Sequence, residues 1–236
     1  AFAQVPYEAI AEQQVKTGGY GAEFGRSTGG VINMITKSGT NEFHAGGNIF
    51  WAPESLSETN PDQYYNSGDI AAVNSKDNSW STTAAVWASG ALVKDRLFAY
   101  GMVQFAKSGS DSYPGTSANS EGFGGNNSHG ETEAPMWLLK MDWNINQNHT
   151  LGLTAFSDKR EGESEIFRTR IDADGVPTRD SYLGSRFSES GGDSYSLKYT
   201  GYLTDTFTLS VLAGHGEFAR TDYAVQADAQ EIRYNG

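Results

Sequence analysis

The feature that most constrains this fold is a series of seven amphipathic strand patterns between residues 43 and 218, joined alternately by long and by short connections. Apolar and polar side chains alternate with a period of two, as they do when one face of a strand is apolar. The clearest apolar positions are Phe43, Ala45, Gly47, Ile49 and Trp51 in one pattern and Trp137, Leu139, Met141, Trp143 and Ile145 in another. This periodicity predicts an all-β chain.

Aromatic residues at both ends of the first pattern set its length. Phe43 and Trp51 are eight residues apart, which corresponds to roughly 26 Å at the rise of a strand. An apolar band about 25 Å tall, bordered by aromatic side chains, is typical of membrane barrels. Lys140 and Asp142 lie on the polar face of the other pattern, where a water-filled lumen would solvate their charges. The patterns therefore predict a lipid face and a lumen face.

The connections between the patterns differ in length in a regular order. Short ones are predicted at residues 94–96, 146–149 and 205–206, and long ones at 52–78, 109–133 and 159–192, with another beginning near residue 218. Outer-membrane barrels have short periplasmic turns and longer extracellular loops. A soluble secreted β-protein, such as a carbohydrate-binding or glycosidase module, would mix both lengths at both ends. The order therefore favours a membrane barrel.

Composition argues against several other classes of protein. No segment approaches the roughly 18 consecutive apolar residues of a membrane helix. The net charge of −12 disfavours binding to nucleic acid, because the phosphates would be repelled. The absence of cysteine removes thiol catalysis, disulfides and cysteine-based zinc sites. No nucleophile set and no paired histidine ligands are recognisable, so the sequence predicts neither an enzyme nor a cofactor.

Residues 18–43 form a glycine-rich segment with seven glycines, a residue suited to positive φ and to close backbone approach. A β-branched strand at residues 31–36 lies within it. This region resembles the end of the plug domain of TonB-dependent outer-membrane transporters, specifically the Oar-like branch with a carboxypeptidase-regulatory-like N-terminal module. The resemblance is carried by Glu12-Gln13-Gln14-Val15-Lys16-Thr17, Tyr20-Gly21-Ala22-Glu23-Phe24-Gly25-Arg26, Gly29-Gly30-Val31-Ile32-Asn33 and Thr36-Lys37-Ser38-Gly39-Thr40-Asn41-Glu42-Phe43.

The resemblance implies a transmembrane antiparallel β-barrel preceded by the C-terminal part of a plug domain. Residues 1–41 would belong to the plug, and residues 42–236 to the barrel with its long extracellular loops. The chain would hold about seven strands of an expected total of about twenty-two. We expect it to be an internal piece of a longer protein, because unpaired sheet edges cannot sit in lipid.

The function implied by the resemblance is import of a bulky substrate, of the siderophore, glycan or peptide class, across the outer membrane of a Gram-negative bacterium. TonB would pull on a segment outside this chain, and the barrel would contact outer-membrane lipid and lipopolysaccharide. The alternative is a non-transporting outer-membrane protein in adhesion, surface organisation or protein export. A TonB-box peptide upstream of Ala1 would favour import, and its absence would favour the alternative.

Four residues of the glycine-rich segment are candidates for a mechanical role in the plug: Glu23, Arg26, Gly29 and Gly30. By the resemblance, Arg26 could pair with carboxylates of the barrel wall and hold the plug in place. A local pair between Glu23 and Arg26, worth under about 1 kcal/mol, is the other interpretation. Gly29 and Gly30 would provide backbone conformations or close approaches that other residues do not allow.

The long connections contain two further groups of candidates, the aromatic residues Tyr64, Tyr65 and Tyr113 and the acidic residues Asp172, Asp174 and Asp180. The aromatic residues could contact an extracellular substrate, and packing between loops is an equally good interpretation. The acidic residues form part of a calcium-loop pattern that lacks its terminal glutamate. We therefore favour a solvated acidic loop over a calcium site.

The parity within each pattern assigns faces to its residues. The predicted lipid-facing residues are Phe43, Ile49, Trp51, Trp137, Leu139, Met141, Trp143, Leu197, Leu209 and Val211, and the predicted lumen-facing residues are Lys140, Asp142 and Lys198. We assign neither a lipid face nor a lumen face to the residues of 80–93, because small residues occupy both odd and even positions of this pattern. We also predict that residues 43–218 form one antiparallel sheet with pairing in chain order.

Overall fold

The computed structural model describes residues 5–17, 30–68, 70–113, 123–172 and 175–227. Over these residues the chain is antiparallel β-sheet with short 3-10 turns, and none of its helices is long and apolar enough to cross a membrane. The strands are β1 Ile10–Lys16, β2 Val31–Thr36, β3 His44–Ala52, β4 Gln63–Tyr64, β5 Ile70–Ala72, β6 Asn78–Val93, β7 Leu97–Ser112, β8 Phe123–Glu133, β9 Met136–Asn146, β10 His149–Ser157, β11 Arg160–Ile171, β12 Pro177–Gly191, β13 Asp193–Thr204, β14 Phe207–Gly216 and β15 Ala219–Gln226.

Eleven of these strands form one sheet. Four pairs of these strands are collinear, so that the second strand continues the line of the first. The pairs are β8 and β9, β10 and β11, β12 and β13, and β14 and β15. Lys107 pairs with Glu133 and Gln104 pairs with Met136, so β7 keeps one register past the break between β8 and β9. The sheet therefore has seven strand paths, each paired antiparallel with the path before it in the chain. The predicted all-β fold and the pairing in chain order are confirmed.

The connections alternate in length as predicted, but three of the predicted long loops, at 109–133, at 159–192 and from about residue 218, are wrong in extent. The tight turns lie between Val93 and Leu97, between Asn146 and His149 and between Thr204 and Phe207. At the other end, most of residues 109–133 and 159–192 is strand, in the hairpins β7–β8 and β11–β12. Likewise, β15 continues the last path to Gln226. Glycine, serine and charged residues occupy both faces there, so no alternation marks the strands, although their backbone groups are paired.

Neighbouring strands place side chains that stand opposite each other on the same face of the sheet. We call the face contacted by residues 5–9 and 36–39 the inner face, and the opposite face the outer face. The register places Asn48, Ala85, Tyr100, Lys140, Asp142 and Lys198 on the inner face and Phe43, Ile49, Trp51, Trp137, Leu139, Met141, Trp143, Leu197, Leu209 and Val211 on the outer face. This is the separation that the parity of the sequence predicts.

The outer face exposes large apolar side chains. Phe43, Ile49 and Trp51 are 76%, 75% and 70% exposed, and exposed apolar residues continue across β9, β13 and β14. Monomeric soluble proteins rarely expose an apolar patch larger than a few hundred Å². This face of the sheet therefore needs an apolar environment to cover it.

The two N-terminal strands form a separate sheet. β1 and β2 pair antiparallel, with Val15 opposite Ile32 and Gln13 opposite Met34. The predicted strand at residues 31–36 is confirmed, and the strand that the sequence places from Glu12 begins at Ile10. Both strands are largely exposed, so the contacts of the N-terminal region with the large sheet come from the residues that flank this hairpin.

Candidate functional site

The N-terminal region lies against the inner face through a small apolar cluster. Ala9 is completely buried, and it packs in one cluster with four residues of β6, β7 and β9. Those four residues are Ala85, Tyr100, Met102 and Leu138. Tyr100 and Leu138 are each 1% exposed, which makes this the best packed part of the inner face. We call the large sheet the wall. Ala9 thus packs against the inner face of the wall.

Glu8 connects this cluster to two strands by hydrogen bonds. The Tyr100 hydroxyl donates to the backbone carbonyl oxygen of Glu8 at 3.0 Å. The Asn48 Nδ2 atom donates to Glu8 Oε1. A buried hydroxyl or amide without a partner costs about 1–3 kcal/mol, so these bonds fix the position of residue 8 on the wall.

Two lysines hold the second flank of the hairpin. Lys140 Nζ, on the inner face of β9, donates to the carbonyl oxygen of Thr36 at 3.3 Å. Lys37 Nζ lies 4.0 Å from Glu8 Oε2 and 5.3 Å from the centre of the Trp87 ring. The Lys37 backbone N–H donates to the carbonyl oxygen of Ala9 at 2.8 Å, so both flanks of the hairpin are held as one unit.

The chain then passes very close to the wall at Gly39. A Cβ atom on Gly39 would lie 2.4 Å from the Ala99 carbonyl oxygen and 2.7 Å from that of Gly90, distances that no side chain tolerates. Beyond it, Asn41 exchanges two hydrogen bonds with Asp95, at 2.6 and 2.8 Å. Asp95 has a φ of 60° in the tight turn between β6 and β7, and the Asn41 side chain clasps that turn.

We expect Gly39→Ala to loosen the attachment of the N-terminal region. The new methyl group would collide with backbone atoms, and overpacking of this kind costs about 1–3 kcal/mol. The matched control is Gly101→Ala on the outer face of β7, where a Cβ meets no atom within 4 Å. The measurement is proteolysis of residues 5–41 together with the thermal midpoint in detergent. Equal behaviour of the two variants would contradict the close approach at Gly39.

A polar cavity lies on the inner face beyond the apolar band. Its floor consists of two rows of opposed residues that cross five strands, Ser79, Ser110, Gly130, Ser164 and Arg186 in one row and Ser81, Ser108, Thr132, Gly162 and Ser188 in the other. The cavity has a volume of about 510 Å³, within the range of about 300–1,000 Å³ that is usual for ligand sites. Arg186 is the cation of this lining.

The two long hairpins are joined on the other face by a polar network that we call the brace. Arg179 of β12 donates to Asp111 Oδ1 of β7 at 2.6 Å and to Asn127 Oδ1 of β8 at 3.0 Å. Asn127 donates in turn to Thr169 Oγ1 of β11 at 2.9 Å, and both residues are fully buried. His129 Nδ1 lies 2.9 Å from Asp111 Oδ1. The brace therefore spans four neighbouring strands.

Acid is expected to weaken the brace. Burial raises the pKa of Asp111, but hydrogen bonds from Arg179, His129 and Asn78 outweigh it and hold that pKa below its ordinary value of 3.8. A carboxylate with a lowered folded pKa contributes stability that is complete above the ordinary value and is lost as the pH falls through the folded pKa. Amide hydrogen exchange in β8 and β12 should therefore rise at strongly acidic pH, after correction for intrinsic exchange rates. Asp111→Asn should abolish this acid-dependent step, and an unchanged step would contradict the assignment.

Of the four predicted plug residues, the structure describes only Gly30, while Glu23, Arg26 and Gly29 lie outside the described residues. Gly30 has a φ of +145°, and a Cβ atom there would lie 3.1 Å from the Lys16 carbonyl oxygen. It stands immediately before β2, where the chain joins the hairpin. The conformation is one that glycine adopts readily and other residues do not.

The predicted loop residues lie in different environments. Tyr64 and Tyr65 are 61% and 56% exposed. The Tyr113 ring lies 5.9 Å from Lys76 Nζ and 6.0 Å from the Arg179 guanidinium carbon, so it packs between a cation of the turn before β6 and a cation of β12. The structure does not bring the three tyrosines together at the polar cavity.

The two described members of the acidic group have protein partners. Asp172 Oδ1 accepts the backbone N–H of Val176 at 2.8 Å, within the turn between β11 and β12. Asp180 pairs with Arg170 at 3.2 Å, which lowers the pKa of its carboxyl group. Asp174 lies outside the described residues. Among those described, no group of three or more metal-ligating side chains is assembled.

The sequence of the chain is 40% identical over 93 residues to the TonB-dependent transporter Oar of Myxococcus xanthus. The similarity supports a relationship to the TonB-dependent receptors. The matched stretch covers 39% of this chain and 8% of Oar, so the chain spans a small part of that transporter. No family model and no solved structure matches the chain.

Sequence reasoning names Lys37, Gly39, Asn41 and Lys140, but it misses Glu8 and Tyr100 among the residues that attach the N-terminal region to the wall. Glu8 precedes every element of the resemblance, and no local pattern distinguishes it. Tyr100 is not singled out either. Its parity is opposite to that of Val103 and Phe105 on the outer face, but it shares that parity with Phe98 and Met102, so no polar alternation marks it.

Proposed function

We propose that this chain is part of a TonB-dependent outer-membrane receptor that imports a bulky substrate through a plugged barrel. The observation that carries the proposal is the attachment of the β1–β2 hairpin to the inner face of a sheet whose outer face is apolar and exposed. A chain that crosses lipid as strands must close into a barrel, and its inner face then surrounds the attached hairpin. Residues 1–41 would belong to the plug and residues 42–236 to the barrel.

The outer face fits the outer membrane of a Gram-negative bacterium. Aromatic residues end the apolar stretch of the first wall strand at Phe43 and Trp51 and border that of β9 at Trp137 and Trp143. Aromatic girdles of this kind lie at the two interfaces of a bilayer. Lipid would cover the surface between the girdles, and lipopolysaccharide would meet the side from which the long hairpins extend.

The hairpins beyond the band would form the substrate side of the receptor. Their inner face carries the polar cavity, which is lined mostly by serine, threonine and glycine, together with Arg186, Trp80, Glu131 and Glu163. Hydroxyl groups can both donate and accept hydrogen bonds, so such a surface suits a substrate with many polar groups. TonB would act on a segment outside this chain and draw the plug away from the wall.

Comparison of two deletion strains tests this function. Loss of the full-length receptor and loss of TonB should produce the same nutrient or substrate defect in the parent bacterium, because both remove energised import. Restoring the receptor should repair the defect only in cells that contain TonB. A receptor deletion that spares every nutrient tested but removes adhesion, surface organisation or protein export would contradict import and favour the non-transporting alternative.

A further inference from the structure

The charges of the long hairpins are separated by sign between the two faces of the sheet, although apolar residues do not alternate there. The register continues the outer face from Trp51 through Thr82, Lys107, Glu133, Glu161 and Glu189 in one row. The six glutamates of β8, β11 and β12 all stand on this face: Glu131, Glu133, Glu161, Glu163, Glu165 and Glu189. The opposite parity places Arg160, Arg168, Arg186 and Arg220 on the inner face. In a chain with a net charge of −12, the inner face of the hairpins is therefore basic.

The two aspartates of β12 and β15 leave part of this positive charge unpaired. Asp180 pairs with Arg170 at 3.2 Å, and Asp222 pairs with Arg220 at 2.9 Å. Within the part of the chain that the structure describes, no carboxylate pairs with Arg160 or Arg186. Both of these arginines are exposed, so two cations on the inner face are accessible to a ligand.

Arg186 borders the polar cavity, whose volume is about 510 Å³. Ser164 stands opposite Arg186 on β11, and Ser188 follows it on the same face of β12. Glu131 and Glu163 also border the cavity, but their side chains stand opposite each other on the outer face. Hydroxyl groups donate hydrogen bonds, and the guanidinium group only donates. A guanidinium can also bind a carboxylate or phosphate through two parallel hydrogen bonds, so this lining fits an anionic group.

Arg160 adds a second cation on the membrane side of the cavity. It stands opposite Ser190, which is four residues from Arg186 along β12. Four residues of a strand correspond to roughly 13 Å. One carboxylate or phosphate group cannot contact both arginines over that distance, so the pair favours a ligand that carries at least two anionic groups.

We propose that the polar cavity binds a polyanionic small molecule with carboxylate or phosphate groups, one held by Arg186 and another by Arg160. Charge of one sign along a cleft attracts ligands of the opposite sign, and the glutamates of the outer face would repel the same ligand. The anion is thus directed to the inside of the hairpins. The inference rests on the proposed function only in taking this ligand to be the imported substrate.

Binding of two anions to the full-length receptor in lipid nanodiscs tests the site. myo-Inositol hexakisphosphate provides phosphate groups, citrate provides carboxylates, and myo-inositol is the uncharged control. Isothermal titration calorimetry should show saturable binding of at least one anion, weakening as salt is added because salt screens exposed charges. The anion that binds more tightly distinguishes a phosphate from a carboxylate site. Absence of binding by both anions, or equal binding of myo-inositol, would overturn the proposal.

Arg186→Gln should weaken binding of the anion at least about tenfold, the loss expected when a hydrogen bond between charged groups is removed. The matched control is Lys107→Gln, which removes the same charge from the outer face and should leave the affinity unchanged. Equal losses in the two variants, or no loss with Arg186→Gln, would overturn the site. If Arg186→Gln lowers the thermal midpoint of the receptor, Arg160→Gln has the same readout.

These titrations use purified receptor without TonB, so they do not depend on import. A receptor that binds the anion but whose deletion strain has no TonB-dependent defect would contradict import and leave the anion site in place. A receptor that passes the comparison of deletion strains but binds neither anion would overturn the anion site alone.

Discussion

Replacing Leu139 by arginine is expected to lower the free energy of unfolding in a bilayer by about 2–4 kcal/mol, the cost of a cation on the lipid face near the midplane. Asp142→Asn, three residues further along β9, should change it far less. Leu139 lies on the outer face and Asp142 on the inner face, where water would solvate either polar side chain. The measurement is urea unfolding of the full-length protein in lipid vesicles.

The comparison between these two variants decides the faces of the sheet. Both substitutions alter one side chain of the same strand, so differences in expression or strand propensity are small. Met141→Arg, on the outer face beside Leu139, should repeat the large effect. Comparable losses at Leu139 and Asp142 would mean that lipid does not cover the face that carries Phe43, Trp51 and Trp143.

The double variant Gly29→Val and Gly30→Val is expected to impair seating of the N-terminal region while the barrel still inserts. At a φ of +145°, Gly30 occupies backbone space that costs a β-branched residue of order 1–3 kcal/mol. The displaced region would leave the lumen open. We expect loss of uptake and greater sensitivity to large antibiotics, with a normal amount of receptor in the outer membrane.

The control for this variant is Gly68→Val. Gly68 also has a positive φ, of +92°, but a Cβ there meets no atom within 4 Å, and the residue lies in the long loop after β3. It should impose a similar backbone strain without affecting the plug. Normal uptake together with normal exclusion of large antibiotics in the double variant would count against the plug assignment.

Much of the wall can be predicted from sequence, because apolar and polar residues alternate along its strands and so mark its two faces. Phe43 to Trp51 and Trp137 to Ile145 show this directly. Alternation does not predict which residues of β6 lie on which face, because Val86 and Trp87 are both large and apolar but lie on opposite faces. Only the structure shows that Trp87 lies over Gly46, whose missing side chain leaves room for the indole ring.

The sequence pattern also fails to predict the long hairpins β7–β8 and β11–β12, which extend past the apolar part of the wall. In β8 and β11 glutamate, serine and glycine outnumber the apolar residues, so no apolar face marks these strands, and such a composition is typical of loops. The brace is equally hidden, because Asp111, Asn127 and Arg179 are far apart in the chain and meet only through the pairing of four strands. The attachment at Gly39 depends on backbone atoms of Gly90 and Ala99, which leave no trace in side-chain patterns.

Four of the seven strand paths are interrupted, at residues 134–135, 158–159, 192 and 217–218, and the constant register across these breaks has a consequence for how such proteins diversify. Each interrupted path pairs with the same neighbours in the same alignment on both sides of its break. Residues inserted in pairs between Ser112 and Phe123, or between Ile171 and Pro177, would lengthen a hairpin without moving any side chain of the wall to the wrong face. In the proposed receptor the recognition surface would thus be rebuilt by insertion while the wall stays fixed, and the same positions would suit the display of foreign peptides.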